Sequence, residues 1–285
     1  MKLRALAKIN LGLDVVRKRE DGYHEVRMVM QTINMYDLLE MTVSEEKGIR
    51  LGTNLYYLPC DENNLVYKAA KLLMDEFHVE QGLDIRLDKF IPVAAGMAGG
   101  SSDAAAAMVG VNRLFGLGLS MEALMERGVR IGADVPYCIM RGTALAEGIG
   151  EVLTMLSPMP PCYILIGKPP ISVSTKYVYG NLKANELERH PDIDGLISAM
   201  EQGNLRAMCG KMENVLETVT VPANPVIAEI KDLMMEQGAL GALMSGSGPT
   251  VFGIFDSKEA GLKAKDALNK SGLTRQIFLT TPYNR

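Results

Sequence analysis

Residues that bind metals are scarce in this sequence. Its 285 residues include three histidines, His24, His78 and His190, and four cysteines, Cys60, Cys138, Cys162 and Cys209. The cysteines stand far apart and form no CxxC pair, which speaks against a zinc site and reads as reduced core thiols of a cytoplasmic protein. No apolar run is long enough to cross a bilayer. The opening MKLRALAKINLGLDVV is broken by Lys8, Asn10 and Asp14 and no small-residue cleavage site follows, so it is expected to be a strand of the mature protein, not a leader. Positive charge is not in excess: 30 Lys and Arg face 34 Asp and Glu, for a formal net charge of −4. A nucleic-acid partner and a membrane partner are therefore not expected. Neither a short repeat nor a low-complexity tract is visible.

What is present suits a globular protein of one large or two ordinary domains, with a hydrophobic fraction of 47%. The first third reads as strands, RALAKINLGLDVV and EVRMVMQTINMYDLLEMTV, joined by the turn-rich KREDGYH. IRLGTN is a further short strand. ENNLVYKAAKLLMDEFH has the helical period, and LDIRLDKFI returns as a strand. SSDAAAAMVGVNRLFG is expected to be a helix with a serine near its N-cap and Gly116 as its stop, and SMEALMERGVRIG a second helix capped by Ser120. PYCIMRGTALAEGIGEVLTM reads as a hairpin. The proline cluster LSPMPPC, residues 156–162, is the expected boundary between domains at 1–157 and 158–285. Beyond it the pattern predicts a strand CYILIGKP, a polar segment ISVSTKYVYGNL, helices over 193–201, 204–217 and 224–237, the strand-bearing ALMSGSGPTVFGIF, a helix over 257–270 and a last strand RQIFLTT. Strands and helices mixed in both halves point to an α/β or α+β protein of two domains.

The stretch IPVAAGMAGGSSDAAAA, residues 91–107, carries the strongest chemical signal. Gly96, Gly99 and Gly100 allow backbone shapes closed to other residues and let a ligand come close. Ser101, Ser102 and Asp103 then open a helix whose free N–H groups attract anions. A P-loop would place a lysine before the serine, where this chain has Gly100. A tight serine-capped turn is the alternative that this stretch alone leaves open. A second Gly/Ser loop, LMSGSGPTVFGIF, and the pair Lys8 and Asn10, two apart on one strand face, favour the ligand-binding reading. A buried lysine needs an anionic partner, unless it snorkels at an edge.

AKINLGLDVVRKREDGYHEV, PVAAGMAGGSSDAAAA and SGSGPTVFGIF follow one another in the order of the three motifs of the GHMP kinase superfamily, and GADVPYCI adds a block between the second and third. From residue 5 to about 255 the chain resembles that family. AKINL, DGYH and GADVP together resemble the branch that moves the γ-phosphoryl group of ATP to the 2-hydroxyl of cytidine-diphosphate-linked methylerythritol, in the methylerythritol phosphate route to isoprenoid precursors. The resemblance implies an α+β (α/β mixed) fold, with a ribosomal-S5-like N-terminal domain, a ferredoxin-like C-terminal domain and the active site in the cleft between them. It implies Lys8 and Asp134 as the catalytic pair. It implies an ATP phosphate loop of Pro92, Val93, Ala94, Ala95, Gly96, Met97, Ala98, Gly99, Gly100, Ser101 and Ser102, with Asn64 and Leu65 lining the adenine pocket. Asn10, Tyr23, His24, Lys89, Thr175 and Tyr179 would face the cytidine substrate, His24 close to the cytosine and Tyr179 stacked on it. Mg²⁺ is expected to arrive with ATP, with no direct metal motif and Ser102 as a possible ligand. A monomer and a homodimer both remain open. Ala94 and Ala98 stand where members of the family often have glycine, and their methyls are expected to narrow the loop and forbid some conformations with φ > 0.

Phosphoryl transfer asks for positioning and charge neutralisation. Asp134 would accept the proton of the attacking hydroxyl, and Lys8 would keep that carboxylate ionised. Read without the resemblance, Asp134 is a turn residue satisfying backbone N–H groups, and Tyr23-His24 a surface hairpin covering a strand. A homoserine- or mevalonate-type kinase of the same family is the nearest alternative. AAGMAGG as a dinucleotide-binding fingerprint of an oxidoreductase is the next, but no acidic residue follows at the required spacing. A pure binding module is opposed by the presence of both Lys8 and Asp134.

Overall fold

The computed structural model describes residues 1–187 and 189–285. The elements run β1 (Lys2–Lys18), β2 (His24–Ser44), β3 (Ile49–Thr53), α1 (Leu65–Glu76), β4 (Gly82–Asp88), α2 (Gly99–Leu114), α3 (Met121–Gly128), α4 (Val135–Met140), β5 (Thr143–Glu147) and β6 (Val152–Met155). They continue with β7 (Tyr163–Lys168), α5 (Thr175–Asn181), α6 (Ile193–Glu201), α7 (Leu205–Cys209), α8 (Glu217–Ala223), α9 (Val226–Glu236), β8 (Gly241–Met244), β9 (Val251–Phe255), α10 (Lys258–Ser271) and β10 (Gln276–Thr280). The chain condenses into two units, one of residues 1–7, 35–93 and 98–140, the other of residues 8–34, 94–97 and 141–285. The proline-rich segment 156–162 joins β6 to β7 within the second.

In the first unit β4 pairs in parallel with β3, Ile49 opposite Leu83, and antiparallel with the end of β2, Leu38 opposite Asp88. Leu39, Met41, Leu73 and Leu83 are fully buried there, each contributing about 1.5–3 kcal/mol through lost contact with water. α2 lies unusually close to the sheet. A Cβ on Gly110 would stand 2.3 Å from Met41 Sδ and 2.8 Å from Leu3 Cδ1. The buried Ala104 to Ala107 keep the same helix slim, so α2 is held down by shape rather than by large side chains.

In the second unit residues 28–31 of β2 pair antiparallel with β5, Met28 opposite Ala146, and β5 pairs with β6. A separate four-stranded sheet has the order β10-β7-β9-β8, antiparallel throughout. α9 and α10 pack against it. Its strands follow as β7, helices α5 to α9, β8, β9, α10 and β10, and the first strand lies beside the last and the third, which is the expected ferredoxin-like strand order. Ile164, Phe252, Ile254 and Phe255 form its fully buried core.

Several elements differ from the sequence expectation. PYCIM is the helix α4, not a hairpin strand; every residue from Val135 to Met140 is buried, so no polar face marks its period. The hairpin is confined to β5 and β6. The helix expected over 204–217 is broken after Cys209, and the polar segment before it contains α5, whose Ser174 side chain accepts from Tyr177 N at 3.3 Å. Cys60 is exposed, whereas Cys138, Cys162 and Cys209 are buried as expected. Burial pushes the thiols of Cys162 and Cys209 up to about 12, which keeps them protonated.

The break after Cys209 frees Asn214 to work as a clasp. Its side chain, 3% exposed, donates to Met244 O and Gly246 O, both at 2.8 Å, and accepts from Leu216 N at 3.0 Å. Asn214→Ala leaves these groups buried and unpaired, at a cost of about 1–3 kcal/mol. The expected result is a thermal midpoint lower by about 3–8 °C; an unchanged midpoint would show that the β8–β9 turn holds itself.

Candidate active site

The first unit carries the start of α2. The expected serine cap is not used: the helix begins at Gly99, its N-cap is Ala98 in the left-handed conformation, φ 53°, and no side chain caps it. The first-turn N–H groups of a sixteen-residue helix therefore meet no capping side chain, which leaves them for an anion. Ser102 is 3% exposed and its hydroxyl donates to Leu6 O at 2.6 Å, tying the helix to β1. Ser101 is half-buried, and its Oγ lies 3.9 Å from where a Cβ on Gly132 would be, beside the turn that holds Asp134. Asp134 is half-buried and directly precedes α4; its carbonyl accepts from Cys138 N at 3.0 Å. A Cβ on Gly100 would touch Leu65 Cδ1 at 3.4 Å, and Asn64 caps α1 by accepting from Val66 N at 2.9 Å. Leu65, Gly100, Ser101 and the Asp134 turn thus gather around one helix start. Lys89 sits differently. Its side chain is 4% exposed, and its ammonium bonds to Asp37 and, at 2.6 Å, to Asp103.

The second unit carries Lys8 and Asn10. β1 is buried on both faces from Ala5 to Val15, so its polar side chains need internal partners. Lys8 Nζ donates to Asn10 Oδ1 at 2.6 Å, as two residues on one strand face allow, and Lys8 N donates to Met97 O at 3.1 Å. Gly96, φ 71°, is clasped by the second Gly/Ser loop: Ser245 Oγ donates to Gly96 O at 2.9 Å, and a Cβ on Gly96 would stand 2.2 Å from Ser245 O. A Cβ on Gly246 would stand 3.6 Å from Asn10 Oδ1. Thr175 Oγ1 and Ser247 Oγ share a hydrogen bond at 2.9 Å.

His24 and Tyr179 meet in the same unit, ring centroids 5.2 Å apart and tilted by 48°. Burial, with the charge of Lys18 nearby, holds His24 below the usual histidine range, so the ring is neutral at pH 7. Its Nε2 is buried with no hydrogen-bond partner. Tyr23 is 60% exposed in the β1–β2 turn. Among the described residues no group of three or more His, Cys, Asp or Glu side chains could hold a metal ion, and no helix is long and apolar enough to cross a membrane.

Two families match the chain: GHMP kinases N terminal domain over residues 64–142 and GHMP kinases C terminal over residues 192–273. The chain is 55% identical over 283 residues to 4-diphosphocytidyl-2-C-methyl-D-erythritol kinase of Lachnospira eligens, covering 99% of this chain and 98% of that one. The chain belongs to the GHMP kinase family. A solved structure of 4-(cytidine 5'-diphospho)-2C-methyl-D-erythritol kinase matches it with a TM-score of 0.85 at 30% identity, over the whole of both chains. A homoserine kinase of Cytophaga hutchinsonii shares the fold, with a TM-score of 0.80 at 21% identity over 100% of this chain and 94% of that one. Kinases of this family take their phosphoryl group from ATP, and the dinucleotide-binding alternative is set aside.

Two of the candidate residues have partners that the local sequence does not announce. Ser247, the partner of Thr175, and Asp37, the partner of Lys89, lie far from them in sequence. The only signal was a lone Asp37 inside the apolar run of β2. The methyls of Ala94 and Ala98 do not keep the backbone out of the left-handed region. Both adopt positive φ, 51° and 53°, because the left-handed region is open to L-residues at a cost of roughly 1 kcal/mol or more each. Ala98→Gly relieves that cost and loses part of it to chain entropy, so the thermal midpoint is expected to rise by about 1–2 °C. Gly96→Ala has the opposite sign, since its methyl meets a backbone carbonyl; a midpoint lower by several degrees is expected. Equal effects from the two substitutions would contradict this account of the loop.

Proposed function

We propose that this GHMP kinase transfers the γ-phosphoryl group of ATP to the 2-hydroxyl of 4-(cytidine 5'-diphospho)-2-C-methyl-D-erythritol, in the methylerythritol phosphate route to isoprenoid precursors. The observation that carries the reading is identity above one half, along almost the full length of both chains, to a protein of that name. The paired His24 and Tyr179 support it. A cytosine needs a π-face and hydrogen bonds to its edge; Tyr179 offers the ring and the neutral His24 offers an unpaired Nε2. Asn10, Tyr23 and Thr175 complete the proposed surface for that substrate.

On the ATP side, the uncapped start of α2 receives the phosphates through its N–H groups, within the loop of residues 92–102, and Asn64 and Leu65 border the adenine. Asp134 takes the proton of the attacking hydroxyl, and Lys8 supplies the positive charge that offsets the charge of the transferring group. ATP would bring Mg²⁺, which would neutralise phosphate charge. Ser101, a hard oxygen donor beside the Asp134 turn, fits that ion better than Ser102, whose hydroxyl is spent on Leu6 O. The free buried thiols support a cytoplasmic setting, and the ferredoxin-like sheet beginning at β7 supports a division into domains 1–157 and 158–285.

A coupled ADP-release assay over the cytidine-diphospho substrate, mevalonate and homoserine tests the reading. Turnover is expected with the first alone; turnover with mevalonate or homoserine and none with the first would overturn it. Within the same assay Asp134→Asn is expected to lower kcat by about 10²–10⁴-fold while ATP affinity stays within about twofold. Activity that survives nearly intact removes Asp134 from the role of base.

A further inference from the structure

The most deeply buried charges of the first unit lie off the proposed chemistry. Asp37 on β2 is 0% exposed, and the side chains of Lys89, just after β4, and Asp103, in the second turn of α2, are 4% exposed each. Lys89 Nζ joins the two carboxylates. Asp37 uses its other oxygen, Oδ1, to accept from the backbone N–H groups of Phe90 and, at 2.7 Å, of Ile91. Asn54 clasps the main chain of Lys89 from both sides, accepting from its N–H at 2.9 Å and donating to its carbonyl at 3.2 Å. These bonds converge on residues 89–91, immediately before Pro92, where the proposed phosphate loop begins. The same ammonium also reaches the loop's far end. A Cβ on Gly99, the first residue of α2, would stand 3.3 Å from Lys89 Nζ.

A sheet and a helix can be joined without charge, and apolar residues in place of a buried ion cluster are often as stable or more so. Here the cluster is not even balanced: two carboxylates share one ammonium. Burial and the neighbouring Asp37 push Asp103 well above the usual carboxylate range, while the two acids hold Lys89 above its own despite burial. Asp103 Oδ1 is left buried without a partner. Directional bonds provide what apolar packing does not, a fixed position for backbone groups.

We propose that Asp37, Lys89 and Asp103 form a positioning cluster for the ATP site, holding residues 89–91 and the start of α2 in the relation that aims the first-turn N–H groups at phosphate. Lys89 is then a positioning residue for ATP and does not contact the cytidine substrate. The inference rests on the reading of residues 92–102 as the ATP loop.

The test compares the full-length protein with Lys89→Met and Asp103→Ala, each held well below its thermal midpoint. ATP with Mg²⁺ is titrated by calorimetry, and KM is measured separately for ATP and for the cytidine substrate. Lys89→Met is expected to weaken ATP binding about tenfold or more with the KM for the cytidine substrate within twofold. Asp103→Ala removes a carboxylate that burial disfavours, so it is expected to keep or raise the midpoint and still weaken ATP binding about threefold. It carries the test alone if Lys89→Met does not fold. Unchanged ATP affinity in folded Asp103→Ala overturns the proposal. A rise confined to the KM of the cytidine substrate in Lys89→Met does so too, because it makes Lys89 a ligand. The parent protein keeps the two ideas apart: if it fails to bind ATP, the loop reading falls, whereas ATP binding indifferent to both substitutions sinks only the cluster.

Discussion

The feature on which the rest depends is a helix that begins without a side chain to cap it. α2 opens at Gly99 behind an alanine held in the left-handed region, and its first N–H groups meet no protein cap. An end of this kind is unfavourable in isolation, because those donors have lost their helical partners and gained none from a cap. The strain at Ala94 and Ala98 adds to it. Both are tolerated because the remainder of α2 is fixed independently. Ala104 to Ala107 are buried, Gly110 lets the helix settle against Met41 and Leu3, and Ser102 bonds to Leu6 O. The helix is stabilised along its length and left without a side-chain cap at its tip, where an anion could be accepted.

The second unit solves a different problem, holding the rings of His24 and Tyr179 together. His24 follows directly from the tight turn between β1 and β2, where Asp21 accepts from Tyr23 N. Its ring meets Tyr179 on α5, a helix anchored at its first residue by the bond between Thr175 and Ser247. Ser247 lies in the turn between β8 and β9 that Asn214 clasps. The Thr175 hydroxyl and the Tyr179 ring are thus tied to Asn214 through the turn that holds Ser247. Burial keeps His24 neutral, and a neutral imidazole can present both a donor and an acceptor.

Much of this was legible in the sequence. Strands with clear turns at their ends and helices with one apolar face appeared where their periods placed them, and the ferredoxin-like sheet order agrees with the family that the motifs suggest. α4 was hidden because it is apolar on every side, so its period had no polar phase to contrast with. The break between α7 and α8 was hidden because the groups that Asn214 bonds there, Met244 O and Gly246 O, lie about thirty residues further along the chain. Serine before a helix suggests a cap; here the hydroxyl of Ser102 goes to a strand instead.

Lys8 and Lys89 show where sequence reasoning stops. Both are buried lysines near glycine-rich backbone, with relative exposures of 5% and 8%, and the family resemblance suggests a ligand-facing role for both. What separates these bonds is how far along the chain the partner lies. Lys8 bonds to a neutral amide two residues away on its own strand, a spacing that the sequence displays. Lys89 bonds to carboxylates fifty-two residues before it and fourteen after it, and no local pattern announces either. A lysine already paired with two buried acids has little charge left to offer a phosphate. The chemical role of a lysine therefore follows from what neutralises it, and that is a property of the fold.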